Sequence, residues 1–186
     1  MRQQVVKDIE KEFLEPSFKY LVKNGLENTS VRDLCKDMKI SYGSIYYWFE
    51  GKEEIYIRVA KYGIGKVADA LFSFAFDTMQ EPDVFFTQFL DELDKYKLEF
   101  RLIVQMTTSP VYGPPIREKA KDFNCIYEKY IGKLSSMVNC KPEDLAPIIY
   151  NLISVLVDYV VWEDVDASRM QLQFLHDVFK SKIGNK

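Results

Sequence analysis

The stretch Thr29–Lys52, TSVRDLCKDMKISYGSIYYWFEGK, decides how this chain is read. Ser30 stands directly before an apolar-periodic run and Asp33 follows three residues later. That is a capping-box-like helix start, with the hydroxyl taking an orphan backbone N–H and the acid near the positive helix end. Val31, Leu34, Cys35 and Met38 recur at three- and four-residue spacing, the buried face of a helix of about two turns. Lys39-Ile40 breaks the pattern. Ser41 is placed to cap a second helix whose inward side is Ile45 with Phe49. Two short helices joined by a tight turn are the layout of a helix-turn-helix, whose second helix enters the major groove of DNA. On that second helix Tyr42, Gly43, Ser44 and Tyr46 lie away from Ile45 and Phe49, within reach of base edges, and Gly43 permits close backbone approach.

Gly25, then Thr29-Ser30-Val31, then Ile40-Ser41-x-Gly43-Ser44-Ile45-Tyr46-Tyr47-x-Phe49 and Lys52-Glu53-Glu54 agree in order and spacing with one family. Residues from about 9 to 60, roughly a third of the chain, resemble the N-terminal domain of the TetR (tetracycline-repressor-like) regulators. The resemblance implies DNA contacts from Thr29, Ser30, Arg32, Ser41, Tyr42, Gly43, Ser44, Tyr46, Trp48 and Lys52, with Arg32 at a position able to reach a base. Tyr47 is expected to pack inside the head. Trp48 stands where the family often has histidine, either donating its indole N–H to phosphate or covering the head's core. The resemblance also implies a palindromic operator read by a homodimer, the seam being formed by the last two helices, and a small-molecule effector bound in the body.

The 186 residues, 47 % hydrophobic and 28 % charged, describe an ordinary globular protein, and 15 % aromatic content is enough for a large core or an apolar cavity. No run of about 18 apolar residues is read as a membrane span, and the polar N-terminus lacks a signal core. Cys35, Cys125 and Cys140 are odd in number and scattered, which argues against a disulfide scaffold or a zinc site and fits a reducing cytoplasm. Net charge is −3, and residues 1–56 hold nine Lys/Arg against ten Asp/Glu. DNA binding on this head therefore rests on local placement of donors rather than on a broad positive field.

Helical spacing continues along the chain. Residues 3–24 read as helix, with Val6, Ile9, Phe13, Leu14, Phe18, Leu21 and Val22 on the apolar side. Pro16 is expected to kink or restart it and Gly25 to end it as a left-handed cap. A long helix runs from about Lys52 to Asp77, and Glu81-Pro82-Asp83 opens another, followed by an apolar helical piece from Phe100 to Met106. The Ser109–Pro115 segment is the clearest loop. A further helix carries Ile116, Ala120, Phe123, Ile126, Tyr127, Tyr130, Ile131 and Leu134. Glu143–Glu163 is apolar nearly all round, so it is expected to be buried on most sides. The last helix is expected from Asp166 or Ser168. No strand pattern occurs. The expected fold is all-α, about nine helices: a three-helix head over residues 1–50 and a ligand-binding and dimerisation body over 51–186.

Inward candidates for effector contact are Tyr62, Phe86, Phe89, Met106, Tyr127, Tyr130, Asn151 and Asp158, with plain core the more ordinary reading of each. Asn151, Ser154 and Asp158 share one face of an otherwise apolar helix and require partners, from a cavity, solvent or a symmetry mate. His176 is read as a surface or seam residue. No metal-ligand spacing, nucleophile–base pair or Gly-rich phosphate loop is present, so neither an enzyme nor a cofactor is expected. The leading function class is a ligand-responsive DNA-binding repressor; the competing classes are a protein-binding adaptor on the same scaffold that no longer reads DNA, and a ligand carrier or helical-bundle enzyme.

Overall fold

Pro16 sets the first element. Lacking an N–H, it cannot continue a helix from behind, and it occupies the first turn of α1 (Glu15–Asn24), directly after a wider π-type turn at Glu10–Leu14. The expected restart is therefore present. Gly25 ends α1 at φ +82°, its N–H bonded to Leu21 O at 2.8 Å; its ψ of 153° is extended, not the helical value of a left-handed cap. The computed structural model describes residues 10–119 and 130–183. Val6, Ile9, Ala120, Phe123, Cys125, Ile126 and Tyr127, each given a role above, lie outside them.

The described residues are all-α, with no strand among them. After α1 come α2 (Val31–Asp37), a 3₁₀ turn at Ser44–Tyr47, and α3 (Lys52–Thr78). Then follow α4 (Pro82–Asp94), α5 (Lys97–Thr108), α6 (Gly113–Lys119), α7 (130–137), α8 (Pro142–Val157) and α9 (Val165–Lys182). A π-type turn at Asp158–Trp162 extends α8. The last helix starts earlier than its sequence suggests, because the Asp164 carboxylate accepts the Ala167 N–H at 2.9 Å and so caps it. Three helix ends are made by non-glycine residues at positive φ: Lys39 (56°), Asn139 (51°) and Glu163 (56°).

Compactness divides the chain differently from a cut at residue 50. One unit comprises Met1–Ala68 with Leu98–Ala120, and the other Asp69–Lys97 with Lys121–Lys186. In the first, Phe13 of the π-type turn, Phe18 and Leu21 from α1, Leu34 from α2, Ile45 and Phe49 around the 3₁₀ turn, and Ile55 and Val59 from α3 form one core. Leu102 and Met106 of α5 and Ile116 of α6 complete it. The head is thus not a free-standing bundle of three helices; its apolar faces exceed what its own elements cover. In the second unit, Phe85 lies 5.1 Å from Phe86 and 5.4 Å from Phe89, ring to ring, and Phe86 packs on Phe179 of α9 at 5.9 Å.

His176 belongs to this second core and not to the surface. Its ring lies 5.0 Å from that of Phe86 and its Nε2 lies 2.9 Å from Asp83 Oδ1, with 14 % of the side chain exposed. Segment Pro142–Trp162 has the length and apolarity of a membrane span, with a mean hydropathy of 1.7. Its Leu145, Ile148, Leu152, Val155 and Val160 are buried within the protein, and Asp158 accepts a 2.6 Å hydrogen bond from Gln171 of α9, the habit of a core helix.

Close packing within the first unit makes one position sharply sensitive. A Cβ added at Gly63 of α3 would overlap the Phe18 ring, itself buried in the core. Gly63→Ala is expected to lower stability by about 1–3 kcal/mol despite alanine's better helix propensity. Urea unfolding checks this, and Phe18→Leu in the same chain is expected to relieve part of the loss.

Candidate nucleic-acid interface

Ser30 begins α2 as the sequence suggests. Its hydroxyl accepts the Asp33 N–H at 3.2 Å while the Asp33 carboxylate accepts the Ser30 N–H at 2.9 Å, a complete capping box. The hydroxyl also donates to Asp33 at 2.5 Å. These Ser30 bonds hold the Asp33 carboxyl below the ordinary 3.8. Thr29, expected among the outward residues, is buried. Its hydroxyl donates to Gly25 O at 2.7 Å, and its carbonyl accepts the Tyr56 hydroxyl at 2.7 Å. Thr29 is therefore a strut between the α1–α2 loop and α3. Burial raises the Tyr56 phenol above its ordinary range, so it stays a neutral donor.

The second element of the motif is shorter than expected. Gly, Ser and aromatics are weak helix formers, and Ser44–Tyr47 closes as one 3₁₀ turn. Ser41 does not cap it with its side chain; the Ser41 carbonyl accepts Ser44 N–H at 3.0 Å. Ile45 and Phe49 are fully buried as expected, and Phe49 packs on Phe13 with ring centroids 5.2 Å apart. With those two side chains inward, the rest of the turn faces out. Tyr42 and Tyr46 are both exposed, edge to face at 5.4 Å, their hydroxyls 2.8 Å apart.

Tyr47 corrects the sequence reading. It is 88 % exposed, the highest value among the described large hydrophobic side chains, and does not pack in the head. In a turn this short Ile45 alone fills the inward slot, and the neighbouring positions cannot share it. Trp48 takes the covering role instead: it is half-buried against the head core, and its carbonyl accepts Arg58 at 3.4 Å.

Around these aromatics lie the donors. The Arg32 guanidinium stands 5.2 Å over the Tyr42 ring. Lys52 opens α3 with its ammonium 5.7 Å from the Tyr56 ring. Ser41 is exposed and Ser44 half-buried. Gly43 is exposed at φ −70°, and a Cβ there would meet only Ser41 Oγ at 3.8 Å, an ordinary contact. Nothing inside the chain demands glycine at this place. Cys35, behind the face, is a free thiol whose pKa is pushed up by burial.

Residues 14–59 match the family of bacterial regulatory proteins, tetR family. The chain carries a tetR-family DNA-binding domain. The match supports a DNA-binding transcriptional regulator of that family. Curated proteins and solved structures gave no match.

The expected effector residues fall in different compact units. Met106 is buried in the first core; Tyr62 packs edge-on to Phe18 at 6.3 Å in the same unit. Phe86 and Phe89 are closed core of the second unit. Tyr130 stacks on Phe72 at 4.2 Å and donates to Asp69. Asn151 is exposed and its amide donates to Pro147 O at 2.8 Å; Ser154 is exposed, and Asp158 is bonded to Gln171. Asn151 and Ser154 of α8 therefore lie on an outward face of the single chain, while Asp158 is half-buried against α9. Tyr127 lies outside the described residues. No group of three metal-ligating side chains occurs among the described residues. The sequence also gave no sign of a groove of about 470 Å³ in the second unit, lined by Met79, Met137, Val138, Phe179 and Ile183 with Gln80, Asn139 and Lys180.

The capping box gives the head a pH dependence of definite sign. Asp33 has a depressed folded pKa, so its contribution is present above the unfolded value and lost as pH falls through the folded one. The stability gap between the native chain and Asp33→Ala is expected to be constant above about pH 5 and to close in more acid solution. Thermal melts of both proteins across pH 2.5–7 check it; a gap that widens in acid would contradict the capping role.

Proposed function

We propose that this regulator is a ligand-released repressor acting as a homodimer on a palindromic operator. The observation that carries the DNA-reading part is the outward set Tyr42, Tyr46 and Tyr47, with Arg32 beside it and Ile45 and Phe49 locked behind it. Two exposed aromatics on one short turn, with a third just before it, are costly in water without a partner. Phenol hydroxyls, Ser41, Ser44 and Lys52 suit phosphate oxygens, and Arg32 suits a base edge. Bare Gly43 lets the sugar–phosphate chain come close. Tyr47 joins the proposed contacts and Thr29 serves as support.

For the dimer, the single chain leaves Tyr150 and Ile153 of α8, Trp162 beyond it, and Met170 and Phe174 of α9 in water, the last two 70 % and 66 % exposed. A patch of this kind marks an interface. Asn151 and Ser154 lie among these residues and support a seam in preference to a cavity. For the effector, a groove of about 470 Å³ falls within the size range of small-molecule sites. Effector binding that moves α3 would weaken operator binding, and DNA would weaken effector binding equally. A cytoplasmic location follows from this role.

Fluorescence anisotropy on the gene's own upstream duplex tests the reading. Tyr46→Ala is expected to weaken binding by roughly tenfold, from the loss of one contact to DNA, while Glu27→Ala leaves it unchanged. Gly43→Ala is expected to keep the melting temperature and weaken binding. Equal affinity in all three would remove the recognition turn from the interface. Independently, Phe174→Asp is expected to shift the protein from dimer to monomer in sedimentation and to abolish two-site binding; an unchanged dimer would place the seam elsewhere.

A further inference from the structure

We infer that Tyr42 is a positioning residue, its ring holding the Arg32 guanidinium so that its in-plane N–H edge reads a guanine in each operator half-site. This rests on the DNA-reading function proposed above and adds to it the base and the residue that selects it.

Arg32 sits in the first turn of α2, where the helix dipole favours anions and not cations. The acid beside it, Asp33, is engaged by Ser30. Arg32 makes no ion pair among the described residues; its contact is the Tyr42 ring at 5.2 Å. A guanidinium drawn to an aromatic ring by cation–π attraction spends none of its N–H donors on that contact, so its in-plane edge stays available to a second partner. The ring is itself held. Tyr42 meets Tyr46 edge to face at 82°, hydroxyl to hydroxyl at 2.8 Å, and Tyr46 follows Ile45, which is fully buried. Order passes from the core through Ile45, Tyr46 and Tyr42 to Arg32.

Two parallel in-plane donors match the N7 and O6 acceptors of guanine. Adenine offers one acceptor and one donor on the same edge, so the second N–H of arginine would face another N–H. Hydrogen-bond counting assigns the phenols a different task. A pair of hydroxyls has two protons and uses one between them, leaving one outward donor for an acceptor such as a phosphate oxygen.

The full-length protein is used to select duplexes from a random pool, and the preferred site is compared with one carrying adenine at each candidate guanine. The readout is the affinity ratio between the two, which loss of a backbone contact does not move. The native chain is expected to discriminate by on the order of tenfold at one guanine per half-site, and Arg32→Ala to lose that preference. Tyr42→Leu is expected to reduce the ratio about two- to fivefold, the worth of an exposed cation–π contact, while Tyr42→Phe, which keeps the ring, retains more of it. Tyr47→Leu is expected to weaken both duplexes alike with the ratio unchanged. Melting curves establish that each variant is folded. A Tyr42→Leu ratio equal to the native one, or a guanine preference that survives in Arg32→Ala, overturns the inference while leaving DNA binding intact. A native chain that enriches no sequence overturns the DNA-reading proposal and this inference together.

Discussion

The burial of Ile45 and Phe49 is the constraint on which the head depends. A 3₁₀ turn of four residues, Ser44–Tyr47, has room for one inward side chain, and Ile45 occupies it completely. Phe49 closes the same core from the next position inward, against Phe13. Once these two are fixed, the remaining side chains have no choice of direction. Tyr42, Tyr46 and Tyr47 point to water, and their exposure is a consequence of packing rather than a separate feature. The hydrophobic term fixes the orientation, and the outward set then carries the chemistry.

A second tie keeps the turn in register with the rest of the first unit. The Tyr56 hydroxyl reaches Thr29 O, and the Thr29 hydroxyl reaches Gly25 O, so α3 is bonded to the loop that launches α2. Tyr112, ahead of α6, lies 5.0 Å from Tyr56 ring to ring, and Leu102, Met106 and Ile116 join the same core. The same helix, α3, contributes residues to both compact units.

Local chemistry was legible in the sequence. Ser30 with Asp33, the Pro16 restart, the Pro82 helix start and the inward pair Ile45 and Phe49 each depend on neighbours within a few residues. What was missed depends on more distant partners or on competition within a short turn. Lys39 and Glu163 adopt positive φ where no glycine signals it. Tyr47 lost the inward slot to Ile45, a contest that spacing cannot referee. The helices α5 and α6 complete the head core across a long sequence separation. On α8, apolar periodicity shows which side chains avoid water but not which surface they meet. The segment therefore reads as buried on most sides and the Asn151/Ser154 face stays open between cavity, solvent and symmetry mate, although Tyr150, Asn151, Ile153 and Ser154 all face outward from the single chain. The family motif was visible over the head alone, and the body's ligand residues, drawn from resemblance, scattered between two units.

Site-specific photocrosslinking tests the central claim most directly. A benzophenone amino acid is placed at Tyr47 on the outward turn in one protein and at exposed Lys141, ahead of α8, in another. Both are irradiated with the preferred duplex. The account predicts a covalent protein–DNA adduct from position 47, competed by unlabelled duplex, and none from position 141. No adduct from position 47, or equal adducts from both, would contradict it.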